Sequence, residues 1–169
     1  MPAPTLIPLA AATLRVEPAP ERVLEIECGD GDGVLFLARE FPAARVRGVD
    51  RSAAQVAAAT ARVGLDPEGR VAFKVGRPRS LPYPDDFFDL VAQVDGRPAV
   101  AEIARVLRPG GWLILARSRR TGDAGGFPAW LLRRQLERHR IEPIEVADAG
   151  DGSFSVARLR GEEPAARGE

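Results

Sequence analysis

The chain has 169 residues, 45% hydrophobic and 28% charged, enough for one domain with a substantial core and too few for two comfortable ones. Lys and Arg total 24, as do Asp and Glu, so no net charge favours nucleic acid or an anionic membrane, and neither is expected as a partner. Cys28 is the only cysteine, which excludes an intrachain disulfide and fits a reducing compartment.

The N-terminal stretch MPAPTLIPLAAATLRVEP has no basic segment ahead of its apolar run, and prolines interrupt it. It reads as neither a signal peptide nor a membrane span, so the cytoplasm is the expected location. Little is expected ahead of the first strand that could cap a site. Residues 21–26 form a short apolar run ending in glycines and read as a buried strand. Residues 34–41 have helical spacing and stop before Pro42, and 44–49 form a second strand closed by Asp50. Ser52 is a suitable N-cap for the alanine-rich helix through Val63, which Gly64 terminates. Residues 71–75 are a third strand, followed by a loop with three prolines.

Residues 87–94 and 112–117 read as the fourth and fifth strands, with a helix over 99–107 between them. Pro109 and Gly110 stand where a type II turn requires them. An amphipathic helix over 128–140 and a hairpin of strands 144–147 and 154–159 complete the pattern. Strand and helix alternate, so the expected fold is α/β and doubly wound: a mostly parallel seven-stranded sheet with helices on both faces. The expected order is 3-2-1-4-5-7-6, the last strand antiparallel. Residues 1–160 form a single domain on this reading, and 161–169 a disordered tail. RRTGDAGG, residues 119–126, reads as a loop over the pocket mouth.

The stretch VLEIECGDGDG, residues 23–33, brings Gly29, Gly31 and Gly33 to the end of the first strand. Glycines there let a ligand approach the backbone where strand order reverses. Asp50 follows Gly29 by 21 residues, at the end of the second strand, where an acid accepts from ribose hydroxyls. Alternatively, the loop is only a tight turn and Asp50 a helix cap. Loop and acid together indicate an adenosine-type ligand without distinguishing a dinucleotide from another adenosine compound.

With VLEIECGDG and VRGVD, the stretches LPYPDDFFDLV (81–91) and EIARVLRPGGWLIL (102–115) make the chain resemble the class I S-adenosylmethionine-dependent methyltransferases, in their small-molecule branch, over roughly residues 20–117. The resemblance implies S-adenosylmethionine as cofactor and a small molecule as substrate. It implies that Glu25 orients the methionine amino group, and that Cys28, Gly29, Asp30 and Gly31 form the loop under methionine and ribose. It places Asp50 at the ribose hydroxyls, Arg51 beside the adenine, Gly76 and Arg77 at the adenine amino group, and Gln93 to Asp95 facing the sulfonium and substrate. Phe87 and Phe88 read as core.

Three departures bear on function. Glu27 stands where the family has glycine or alanine, Arg77 stands where an acceptor for the adenine amino group is usual, and the segment AQVDGRPAV (92–100) is short where a pocket wall is usual. Glu27 and Arg77 are expected to pair across the pocket. His139 reads as a surface residue, and Cys28 and His139 do not make a metal cluster. Asp95 is the one candidate base, and the catalytic residue is otherwise unassigned. Two functions follow: methyl transfer to a small molecule, or a methyltransferase-like scaffold without catalysis that binds a partner protein or another ligand. A homodimer could supply the missing wall.

Overall fold

The computed structural model describes residues 4–119 and 128–161. The tail from 162 and residues 120–126 of the expected pocket-mouth loop lie outside the described residues.

A 3-10 turn over Pro4–Leu6 leads into α1 (Ile7–Thr13). Alternating elements follow: β1 (Arg22–Ile26), α2 (Asp32–Glu40), β2 (Arg45–Asp50), α3 (Ala53–Val63) and β3 (Val71–Val75). Then come β4 (Phe88–Val94), α4 (Val100–Val106), β5 (Leu107–Arg117), α5 (Ala129–Arg138), β6 (Ile141–Ala149) and β7 (Gly152–Leu159). The sheet has seven strands in the expected order, β3-β2-β1-β4-β5-β7-β6. The β1–β2, β1–β4, β2–β3 and β4–β5 pairs are parallel, whereas β7 runs antiparallel to both β5 and β6.

The central strands are apolar without alternation because both their faces are covered. In β1, Val23 belongs to the core under α1 and α2 with Leu9, Leu37 and Ile114, while Leu24 and Ile26 belong to the core on the opposite face with Phe88 and Ile103. Ser52 caps α3 by accepting from the Gln55 amide at 3.3 Å, and Gly64 closes that helix at φ +67°. Gly110 has φ +82°, as the expected turn requires; β5 nevertheless starts at Leu107 rather than 112, because the register with β4 jumps from Leu107 to Trp112 and the turn becomes an irregularity within the strand.

The N-terminal apolar run forms an element that the sequence reading did not assign. In α1, Leu9 and Ala12 are fully buried against the strands at the β5–β7 side of the sheet. Alanines and prolines hid a helix whose stability comes from that tertiary contact. The terminal hairpin is also longer than its apolar residues suggested, because β6 is an edge strand in which Glu142, Pro143, Glu145 and Asp148 interrupt the apolar residues.

Phe88 is fully buried and meets Tyr83 and Phe87 edge-on, with ring centroids 4.9 and 5.0 Å away. Phe88→Ala is expected to lower the urea-unfolding free energy by about 3–5 kcal/mol. Leu65→Ala, at a wholly exposed side chain, should change it by less than about 0.5 kcal/mol. Similar losses from the two would contradict the core assignment.

Candidate cofactor crevice and adjoining cavity

Chain direction across the sheet reverses at β1 and β4, so the loops after these two strands diverge and leave a crevice beyond their carboxyl ends. Glu27 to Gly31 form one side of it. Gly29 has φ +55° with open space where a Cβ would stand, so a ligand can approach its backbone directly. Gly31, at φ +90°, packs so closely on Phe73 and Ala59 that a larger residue would push the loop outward.

Asp50 holds this loop in place. Its Oδ2 accepts from the Gly29 amide at 2.9 Å, and its Oδ1 accepts from the Ser52 amide at the same distance. Each oxygen keeps a lone pair for a further donor. Asp30 and Asp32 turn toward α3, where Arg62 reaches them at 3.1 and 2.6 Å. Asp30 thus contributes backbone to the crevice and its carboxylate to a surface pair. Cys28 likewise buries its side chain, and desolvation pushes its thiol up to about 12, so it stays protonated at neutral pH.

Glu25 is buried beneath the start of α2, so close that a Cβ at Gly33 would collide with its carboxylate. Its Oε2 has no partner among the described residues. Desolvation pushes its pKa up to about 8, offset in part by the Val34 amide and reinforced by Asp32 and Asp30. Glu25 is therefore protonated near neutrality.

Glu27 does not meet Arg77. Its Oε1 accepts from Arg51 Nη2 at 2.7 Å, and its Oε2 accepts from Gln93 Nε2 at 2.8 Å. Arg77 is exposed and bridges backbone to Ser80 instead. The expected pairing fails because Arg51, at the end of β2, is nearer than the loop after β3. Arg51 and Gln93 stand at the ends of β2 and β4, which flank β1, so the Glu27 carboxylate lies across the crevice. Gln93 is 1% exposed, and its Oε1 has no partner among the described residues. Glu27 adopts φ +55°, a left-handed conformation that costs a side-chain-bearing residue about 1–2 kcal/mol.

A second space, missed in the sequence, adjoins the crevice at Gln93 and Gly96. This cavity of about 840 Å³ lies between α5 and the β5–β7–β6 face. The short connection after β4 supplies Gly96 and Pro98 to its mouth. Asp95 is committed elsewhere: it accepts from the Ser118 amide at 2.8 Å and from the Ser118 hydroxyl at 2.5 Å. His139 is half-buried at the C-terminus of α5 and is absent from the cavity lining.

The Glu25 geometry has a measurable consequence for stability. Between the ordinary glutamate value near 4.5 and about 8, the folded chain keeps a proton that the unfolded chain has lost. Folding therefore weakens as pH rises through that window and levels off above it. Relative to wild type, Glu25→Gln should gain stability steadily from pH 5 to 8.5 in urea titrations. A constant difference between the two proteins across that range would mean that the carboxyl is solvated.

Comparison with known proteins agrees with this architecture. A family profile described as a methyltransferase domain matches residues 23–111. The phthiotriol/phenolphthiotriol dimycocerosates methyltransferase 1 of Mycobacterium ulcerans is 33% identical over 139 residues, which are 75% of this chain and 49% of that protein. A fatty-acid O-methyltransferase of Mycolicibacterium smegmatis is 33% identical over 146 residues, 82% of this chain and 49% of the relative. The chain thus spans about half the length of these curated relatives. A crystallised SAM-dependent methyltransferase from Aquifex aeolicus superposes with a TM-score of 0.74 at 19% identity, covering 94% of each chain, which shows a shared fold. S-adenosylmethionine is the cofactor of the family to which this profile and this sheet order belong, and the chain is a member of it, a class I S-adenosylmethionine-dependent methyltransferase domain.

Proposed function

We propose that the chain, as one domain over residues 1–160, transfers the methyl group of S-adenosylmethionine to a small molecule held in the cavity beside Gln93. The observation that carries this reading is the Asp50 carboxylate, which keeps free lone pairs beside the open face of Gly29.

The crevice fits a nucleoside cofactor in most respects. Asp50 would accept from the ribose hydroxyls, and the backbone of Cys28 to Gly31 would lie beneath them. The unpartnered Oε2 of Glu25 suits an ammonium group, whose charge would draw the buried carboxyl into its ionised form. Gln93 would line the side facing the substrate. Arg77 offers no acceptor to an adenine, so recognition there falls to backbone groups around Gly76. The bound cofactor supplies an activated methyl on a sulfonium; the chain supplies position and the exclusion of water.

Among the described residues, the Glu27 side chain lies across the crevice, and it can yield. Arg51 is 66% exposed, so that ion pair contributes no more than about 1 kcal/mol. The bond to Gln93 is the stronger of its two holds, and a bound ligand must replace it. The second reading, a binding scaffold without catalysis, is favoured by the same contact if it never opens.

Calorimetric titration with S-adenosylmethionine and S-adenosylhomocysteine separates the two readings. Weak binding is expected in the wild type, roughly tenfold tighter binding in Glu27→Gly, and a loss of about 1.5–3 kcal/mol in Asp50→Ala. Adding Arg77→Asp to Glu27→Gly should not act through any lost ion pair, because Glu27 and Arg77 do not touch. No heat from either wild type or Glu27→Gly at millimolar ligand would sink the methyltransferase reading and leave the scaffold.

A further inference from the structure

Glu27 stands between two anchors for the cofactor. In the covalent order of S-adenosylmethionine, the sulfonium lies between the ribose and the amino-acid end that bears the ammonium. The ribose falls to Asp50, whose Oδ2 holds the Gly29 amide at 2.9 Å. The ammonium falls to the buried Glu25, whose Oε2 has no partner among the described residues. Glu27 follows Glu25 by two residues and precedes Gly29 by two, and its carboxylate lies across the crevice between the ends of β2 and β4.

The space around that carboxylate is tight. Its Oε2 meets Gln93 Nε2 at 2.8 Å, and a Cβ at Gly96 would collide with both atoms. Gln93 and Gly96 also line the groove between α5 and the β5–β7–β6 face, so the crevice and the groove adjoin here. The Glu27 side chain is only 25% exposed, and a charge placed there acts through a medium less polar than water.

The other acids nearby are committed. Asp30 and Asp32 turn to Arg62, Asp95 accepts twice from Ser118, and Asp50 holds two amides. The partners of Glu27 answer its charge only in part, since Arg51 is mostly in solvent and Gln93 is neutral. Any nucleoside that enters the crevice must displace these two contacts, at the same cost whether its sulfur is charged or not. Only a sulfonium returns something to the carboxylate. We propose that Glu27 discriminates between cofactor and product: its carboxylate faces the sulfonium and makes the crevice prefer S-adenosylmethionine over S-adenosylhomocysteine. The inference rests on the methyltransferase reading. In the transfer, an electron pair of the acceptor forms the new bond to the methyl carbon, while the pair of the broken carbon–sulfur bond stays on sulfur and leaves a neutral thioether. Glu27 then has no cation to face, and its return to Gln93 and Arg51 favours release of the product.

Calorimetric titration of the full chain with each nucleoside tests the assignment, read as the ratio of the two dissociation constants. The two ligands share ribose, ammonium and carboxylate, so the ratio isolates the methyl and the charge on sulfur. Glu27→Gln keeps the size of the side chain and removes its charge, and is expected to lower the preference for S-adenosylmethionine by about tenfold. Glu27→Gly, at a φ that glycine adopts freely, should tighten S-adenosylhomocysteine about tenfold more than S-adenosylmethionine. Asp50→Ala should weaken both ligands and leave the ratio as it is, because the ribose is common to both. Circular dichroism checks that each variant is folded. A ratio that Glu27→Gln and Glu27→Gly leave unchanged, or that Asp50→Ala moves as far, overturns the inference and leaves the methyltransferase reading standing. So does a wild type that binds neither nucleoside when Glu27→Gly binds both, because the side chain then only blocks. No heat with either nucleoside in wild type and Glu27→Gly overturns the methyltransferase reading, and the inference with it.

Discussion

The amide of Gly29 donates to the Asp50 carboxylate at 2.9 Å, and the geometry of the crevice depends on that bond. It ties the loop after β1 to the end of β2 and sets where both the open glycine face and the acid lie. Charge-assisted bonds of this kind are among the stronger ones available to a loop. The second oxygen holds the Ser52 amide at the start of α3, so one side chain fixes the exits of two adjacent parallel strands. Arg62, near the end of α3, closes the arrangement from outside by holding Asp30 and Asp32.

Glu27 works against this economy of parts. Glycine would adopt φ +55° without strain and leave the crevice clear, whereas glutamate bears the strain and fills the space. What offsets the cost is a charge-assisted bond to a nearly inaccessible amide, Gln93 Nε2, in addition to the exposed pair with Arg51. The same bond leaves Gln93 Oε1 buried without a partner among the described residues. The side chain's position across the crevice is therefore held by one good hydrogen bond and one exposed ion pair, a balance that a ligand can tip.

The fold was legible in the sequence because its strands alternate with helices whose ends carry explicit signals, such as Ser52 and Gly64. The element that escaped notice, α1, has no capping side chain and no charged face; only its burial reveals it. At the site, spacing identified the backbone of the glycine loop and the position of Asp50, since the end of a strand fixes both. Side-chain partners were not legible. Glu27 was expected to meet Arg77 because opposite charges suggested it, but distance decides, and Arg51 lies on the neighbouring strand. The groove left no local signal either, because α5, β5, β6 and β7 each contribute a few ordinary residues to it.

Together the two spaces differ in the chemistry of their walls. In the crevice, the Asp50 carboxylate and the protonated Glu25 stand beneath an open glycine loop, while Asp30 and Asp32 turn to Arg62 at the surface. Beyond Gln93 the groove is lined by apolar side chains of β5, β6 and α5. Gln93 and Gly96 stand at the boundary, where the mouth of the groove reaches the end of β4. Glu27 lies on that same boundary, its carboxylate against Gln93. A side chain there screens the two compartments from each other while the crevice is closed. Glu27 therefore stands between the crevice and the groove, held there by Gln93 on one side and Arg51 on the other.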